Sequence, residues 1–584
     1  MTLSSEVAPR RGGVDGPNPL VAYFSMEVAL SDEIPTYSGG LGVLAGDFLR
    51  AAADLGLPLV GVTLCYGGGY FRQQLDKQGR QGEAPVSWDP CSLLEAIPDT
   101  VQVEVAGRPV TVGAFRYVIT GLGGHEVPVY LLDTDLEGND DEARAITGRL
   151  YGGGEHYRLE QETVLGIGGV DLLAALGLDE LRTFHMNEGH SSLLTLRLLE
   201  RELAGSGAGD EPGAAQIEAV RRRCAFTTHT PVPAGHDRFG ATLVAEVVGE
   251  PRTKVLDRIG QLGSGLLNMT DLGMGLSGYV NAVSVKHGEV TRAMFPDVEV
   301  ASITNGVHAV TWVAPSTERL LDEHVPNWRA HNGLLRQAMG IPLAELRDAH
   351  DVAKRALLAV VSRRCGRKLD PNAFTIGLAR RAAAYKQTAL IFTDLDRLEH
   401  VARDIGPLQV VCAAKAHPRD EAGKALIVTI FDAAKRLKGK VEVVFLADYD
   451  LATARLMCAG TDVWLNNPQK PYEASGTSGM KAALNGVPSL STLDGWWIEG
   501  CMHGVTGWAI GGMADGDDAA DLYEMLEGTV MPLYYEDEDG WTAVMRNAIA
   551  LNGSFFNTER MAAEYANEAY HLVPSAWRSA PPAP

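Results

Sequence analysis

Short apolar runs alternating with stretches of helical spacing mark this chain as an α/β protein. The clearest series lies in the second half. Runs at 374–379, 408–413, 441–446 and 462–465 are rich in Val, Ile, Leu and Phe and have the length of buried strands. Between them, 388–404, 421–437 and 452–459 carry apolar residues at helical spacing. Such alternation predicts a parallel, doubly wound sheet. The first half has the same character with more interruptions: strands at 20–26, 57–64 and 127–132, and a helix over 43–55. The last helical stretch, 558–570, sets Met561, Ala562, Tyr565, Ala566 and Ala569 on one face.

At 584 residues the chain is too long for one core. The pattern predicts two Rossmann-like doubly wound α/β domains, 19–314 and 315–572, flanked by a flexible segment 1–18 and a disordered tail 573–584. Two such domains facing each other place ligands in the cleft outside the carboxyl ends of their strands. The last helix of such folds often crosses back onto the first domain.

An apolar share of 46% and a charged share of 21% are those of a soluble globular protein. The net charge of −23 argues against nucleic acid and anionic membranes as partners, and an anionic substrate would need a local cluster of Lys and Arg. The seven cysteines are scattered, odd in number and without metal-ligand spacing, which predicts reduced thiols, a cytoplasmic setting and no metal. The N-terminus has no apolar core of a signal peptide, and no run is long enough to span a membrane.

Candidate chemistry falls in four places. Glu473-Ala474-Ser475-Gly476-Thr477-Ser478-Gly479-Met480-Lys481 joins an acid, small residues with free amides, two hydroxyls and a lysine ahead of an apolar stretch. It suits a tight loop entering a helix, where unpaired N–H groups bind phosphate and a lysine can hold a cofactor covalently. Arg380, Arg381 and Lys386 follow the apolar run 374–379 and predict an oxyanion pocket. Ser38-Gly39-Gly40-Leu41-Gly42, between a strand and a helix, has the layout of an anion-binding turn. His229 and His236 lie in a proline-punctuated loop, 227–237, whose prolines rule out a metal-binding helix.

Together with Asn305-Gly306, Trp312 and Tyr449, these segments resemble, in order, those of the α-glucan (glycogen/maltodextrin) phosphorylase family in its short bacterial form. The resemblance runs from about Leu20 to Trp508 and is weaker at the last helix. It implies the two-domain GT-B architecture and phosphorolysis of α-1,4-glucan to α-glucose 1-phosphate with retention. It also implies pyridoxal 5′-phosphate bound covalently to Lys481.

By the same resemblance Arg380 touches the cofactor phosphate, and the amides of Gly476, Thr477 and Ser478 wrap it. Trp312 and Tyr449 pack near the cofactor ring. Arg381 and Lys386 hold inorganic phosphate or the sugar phosphate, and the backbone of Gly39, Gly40 and Leu41 approaches it. His229 contacts a sugar hydroxyl, Asn305 the 6-hydroxyl, and Glu473, Ser475 and Gly476 the 3- and 4-hydroxyls. His236 is held for the glucan side. A homodimer is the family expectation, and phosphorylation of a long N-terminal tail is not expected here. Ala382-Ala383-Ala384 departs from the bulkier polar residues of the long-form enzymes. That departure leaves room for a silent glucan-binding paralogue, and a nucleotide-sugar glucosyltransferase would share the fold without needing Lys481.

Overall fold

A computed structural model describes residues 19–206, 211–512 and 517–572, so the expectations for 1–18 and 573–584 lie outside the described residues. Its frame is two large sheets. The first has nine strands in the order Ala301–Ser302, Tyr279–Ala282, Cys224–Thr227, Thr183–Asn187, Val21–Ser25, Leu59–Leu64, Glu126–Asp133, Arg108–Thr120 and Glu95–Val105. Pairing is parallel up to Glu126–Asp133 and antiparallel for the last two strands. The first half is therefore a mixed sheet, not a purely parallel one. The two long antiparallel strands escape an apolar-run reading because polar residues interrupt them and many of their positions are exposed or half-buried.

The second sheet is parallel throughout, in the order Glu442–Phe445, Leu408–Ala416, Phe374–Ala382, Val463–Asn466, Ser489–Thr492 and Gly507–Ile510. Its strands are almost wholly buried, as a sheet between two helix layers requires. Two of the differences from the sequence reading bear on the site. The strand expected to end at 379 continues to Ala382 and carries Arg380 and Arg381 within it. The stretch 388–404 is not one helix: a single turn at Leu390–Phe392 precedes the Leu395–Asp404 helix, which Asp394 caps by accepting from the Arg397 N–H.

The final helix, Thr558–Glu568, packs against the first sheet. Its Met561, Ala562, Tyr565 and Ala566 share a buried cluster with Val21, Tyr23 and Phe48. The Tyr565 hydroxyl lies 3.1 Å from Thr227 Oγ1 and accepts from Asn281 Nδ2 at 2.9 Å, and the Tyr570 hydroxyl is 2.6 Å from His185 Nδ1.

The second sheet is braced at its amino end by a buried charge. Asp462 accepts from Lys354 Nζ at 2.6 Å, from the Thr375 N–H at 2.7 Å and pairs with His350 Nε2 at 3.0 Å. Lys354 and Asp462 are each 2% exposed. Removing one partner strands the other charge in the interior. Lys354→Ala is therefore expected to lower unfolding stability by about 3–5 kcal/mol in urea titration without displacing any group in the cleft.

Candidate active site

A cleft of about 980 Å³ runs between the two halves. Every residue given an individual role in the sequence reading lines it, His236 included. Eight of its lining side chains are Lys or Arg and six are Asp or Glu, in a chain whose net charge is −23. The local cation cluster that an anionic substrate would require is thus assembled here.

The first half contributes the glycine turn. The helix Gly40–Leu55 begins on the turn itself, earlier than the sequence reading placed it. Not all the turn amides are available to a substrate anion. Glu27 accepts from the Ser38 N–H at 2.5 Å and from the Gly39 N–H at 3.2 Å, and also from the Tyr151 hydroxyl at 2.9 Å. Gly40 and Leu41, as the first residues of the helix, keep N–H groups with no intrahelical partner. Apart from its chain neighbours and the helix backbone, a Cβ built on Gly39 or Gly40 meets no atom of the described residues within 4 Å, so the approach to them is open. At Gly42 a Cβ would meet Glu27 Oε2 at 2.7 Å, so glycine is required for the carboxylate to sit where it does.

Beside the turn, His229 presents a neutral ring. Its Nε2 is 2.7 Å from Asn187 Oδ1, its N–H donates to Glu188 Oε2 at 2.7 Å, and burial pushes its pKa down to about 3. Asn305 is 3% exposed and its Oδ1 has no partner.

The second half contributes the cations. Period-two alternation along Phe374–Ala382 sends Arg380 and Arg381 to opposite sides of the sheet. Arg380 is buried, donates to the carbonyls of Lys386 at 2.8 Å and Leu465 at 2.5 Å, and leaves its Nε unpartnered. Burial lowers its pKa to about 10. Arg381 is exposed and lines the cleft. Lys386 donates to the Glu473 carboxylate, with its amine 5.0 Å from the centroid of the Tyr385 ring. Burial opposes the Lys386 charge, but Glu473 outweighs it and the pKa is raised.

Lys481 lies in the short helix Ser478–Ala483, with Nζ 4.1 Å from the centroid of the Trp312 ring. Burial lowers its pKa against the pull of Asp47. Asp47 in turn accepts from Trp312 Nε1 at 2.7 Å, which fixes the indole under the amine. The turn before the helix needs Gly476, whose φ is +80°. Ser475 Oγ is buried without a partner, whereas Trp464 Nε1 holds Ser478 Oγ at 3.0 Å. Of the three alanines that depart from the long-form sequence, Ala382 and Ala383 are buried at the strand end and Ala384 is exposed.

The sequence reading missed Glu27, Tyr151, Arg158, Glu188, His190 and Asp237, which line the wall of the first half. Arg158 donates to Asp237 Oδ2 at 3.0 Å and to Glu162 Oε1 at 3.0 Å and covers the Tyr151 ring at 4.4 Å. Glu27 had a legible signal: it follows the strand Val21–Ser25 at its carboxyl end, where ligands of α/β sheets gather. Glu188 had the same signal, following the strand Thr183–Asn187, whereas Arg158, in the helix Glu155–Thr163, and Tyr151, His190 and Asp237 carry no local mark of a site.

A family model described as carbohydrate phosphorylase matches residues 236–505. The maltodextrin phosphorylase of Thermococcus litoralis is 38% identical over 94% of this chain and 70% of its own length. The glycogen phosphorylase of Mycobacterium tuberculosis is 39% identical over 96% of this chain and 71% of its own. That of Aquifex aeolicus is 37% identical over 95% and 86%. The chain belongs to the carbohydrate phosphorylase family.

Proposed function

We propose that this chain is an α-1,4-glucan phosphorylase. It would cleave the non-reducing end of glycogen, starch or maltodextrin with inorganic phosphate, giving α-glucose 1-phosphate and a shortened glucan with retention. The observation that carries the reading is the convergence in one cleft of a buried lysine, three phosphate-competent cations and, opposite them, a glycine turn with His229 and Asn305. In this reading the halves 19–314 and 315–572 are the two domains of a GT-B architecture.

The lining of the second half fits pyridoxal 5′-phosphate on Lys481. The amine is buried with a lowered pKa, which favours the neutral nucleophile a carbonyl requires. Arg380, which lines the same cleft, has a buried Nε without a hydrogen-bond partner among the described residues, and Gly476, Thr477 and Ser478 line it with small side chains. Trp312 and Tyr449 supply the walls for a planar ring. When bound, this cofactor would supply a 5′-phosphate able to give and take a proton near neutral pH.

The chain's own residues do the rest. Arg381 and Lys386 hold the substrate phosphate and offset the repulsion between two dianions. The Gly40 and Leu41 amides complete its cradle. Asn305 Oδ1, Ser475 Oγ and Glu473 receive sugar hydroxyls, and the neutral His229 ring contacts another without bringing a charge to the oxocarbenium-like centre. The test is release of glucose 1-phosphate from maltodextrin by protein purified in pyridoxal phosphate. Phosphate-dependent release is expected; release that ignores phosphate, or none from cofactor-loaded protein, overturns the reading. Arg381→Ala is expected to raise the KM for phosphate about tenfold or more while changing the KM for maltodextrin little, since the side chain points into the cleft and holds no other group together.

A further inference from the structure

A hairpin of the first half, Arg72–Leu75 paired with Gln81–Ala84, reaches across to the second sheet. The reason lies in unequal strand lengths. Leu408–Ala416 pairs along its whole length with Phe374–Ala382, but its other neighbour, Glu442–Phe445, pairs only with residues 409–412. The backbone groups of 414–416 on that edge need other partners. Two glutamine side chains provide them. Gln81 donates to Ala416 O at 2.9 Å and accepts from the Ala416 N–H at 3.0 Å, so its amide pairs as a neighbouring strand would. Gln73 donates to Ala414 O and to Gln81 Oε1, both at 2.8 Å.

A second pair of bonds lies at the hairpin base. The Gln73 N–H donates to Asp448 Oδ1 at 3.0 Å, and the Asp448 N–H donates to Gln73 Oε1 at 2.8 Å. Asp448 has φ of +57°, a left-handed conformation unfavourable for a residue with a Cβ. Its neighbour Tyr449 and its ion-pair partner Lys415, at 2.6 Å, both line the cleft. At the hairpin tip Gly79, with φ of +80°, lies where a Cβ would meet the Phe431 ring at 2.5 Å. Leu75 packs against a small cluster of Ala382, Ala414, Ala416 and Ile427, which includes the end of the strand that carries Arg380 and Arg381.

We infer that residues 72–84 form a strap that holds the two walls of the cleft in register, with Gln73 and Gln81 as positioning residues for its phosphate-binding side. Neither side chain lines the cleft; both act through backbone groups that do or that flank those that do. The inference rests on the phosphorylase reading for its kinetic consequence, but not for its structural one. In the double variant Gln73→Ala/Gln81→Ala the strap loses its bonds to Ala414 O, to Ala416 and from the Asp448 N–H.

The exposed Lys77 and Arg80 at the tip give a direct readout, because trypsin cuts a segment only when it leaves the surface. The double variant is expected to be cut at these sites about tenfold faster than wild type, and its kcat/KM for phosphate to fall about tenfold or more. Bound cofactor, read by absorbance, should stay at the wild-type ratio, since Lys481 and Arg380 belong to the second half. Gln78→Ala, an exposed change in the same turn, should alter neither quantity. Wild-type cleavage and wild-type phosphate kinetics in the double variant would overturn the strap. So would an activity loss matched by lost cofactor without faster cleavage, the mark of a merely structural role. Cleavage rates report on the strap even in protein that releases no glucose 1-phosphate, so failure of the strap and failure of the phosphorylase reading are separable.

Discussion

Lys481→Ala is expected to purify without bound pyridoxal phosphate and to show no phosphorolysis. Of the lysine amines that line the cleft among the described residues, those of Lys386 and Lys415 are ion-paired with Glu473 and Asp448, which leaves Lys481 as the amine set to bond the cofactor's carbonyl. It sits against the Trp312 ring in a buried site, and burial lowers its pKa. Arg380 and the Gly476–Ser478 amides could still attract the phosphate end, but without the covalent tether that contact is reversible. Measurements beyond activity settle the point. Absorbance of the purified protein should show the cofactor in wild type and none in the variant. After borohydride reduction, the peptide containing residue 481 should gain the cofactor's mass in wild type alone. Because the lysine amine is buried and has no carboxylate within ion-pair distance among the described residues, its removal strands no charge and should not unfold the protein. A variant that retained cofactor at the wild-type ratio would place the attachment elsewhere and undo the assignment of the pocket.

How much of this was legible in the sequence depended on whether the information was contiguous. The Glu473–Lys481 segment and the Arg380–Lys386 cluster are short, chemically dense and local, and both lie in the cleft. Four of the six strands of the second sheet were visible as apolar runs, whereas Ser489–Thr492, mostly hydroxyl residues, and the short Gly507–Ile510 were not. Strand ends were less visible. Arg380 and Arg381 look like the start of a loop because charge ends the apolar run, yet they remain in the ladder, paired with Ala414 and Lys415. The antiparallel strands 95–105 and 108–120 carry too many polar positions to stand out. Glu27 was passed over because nothing local says that its carboxylate folds back on Ser38 and Gly39. The strap was beyond reach: Gln73 and Gln81 bind backbone groups more than 330 residues away, and a backbone group carries no mark in the sequence.

Lys386 tests the phosphate pocket most severely, because two effects of its removal must be told apart. In Lys386→Met the Glu473 carboxylate, 7% exposed, loses its ion-pair partner. A buried, unpaired carboxylate costs about 3–5 kcal/mol, so the single variant is expected to be less stable as well as less active. Adding Glu473→Gln removes the stranded charge and should restore most of that stability, since a neutral amide is far cheaper to bury. Activity should not return. Loss of a preorganised cation at the site of developing charge lowers the rate by about 100- to 1,000-fold, and no group in the double variant replaces it. Arg381 remains, so the residual reaction should still depend on phosphate, with its KM raised. The decisive comparison is therefore between thermal melting and kcat/KM for phosphate across the wild type, the single variant and the double variant. Stability that recovers while the KM for phosphate stays raised assigns Lys386 to the substrate anion, since the loss of the Glu473 charge acts on the glucan side and is read in the KM for maltodextrin. Phosphorolysis that recovers along with stability would show that the lysine serves only to neutralise Glu473.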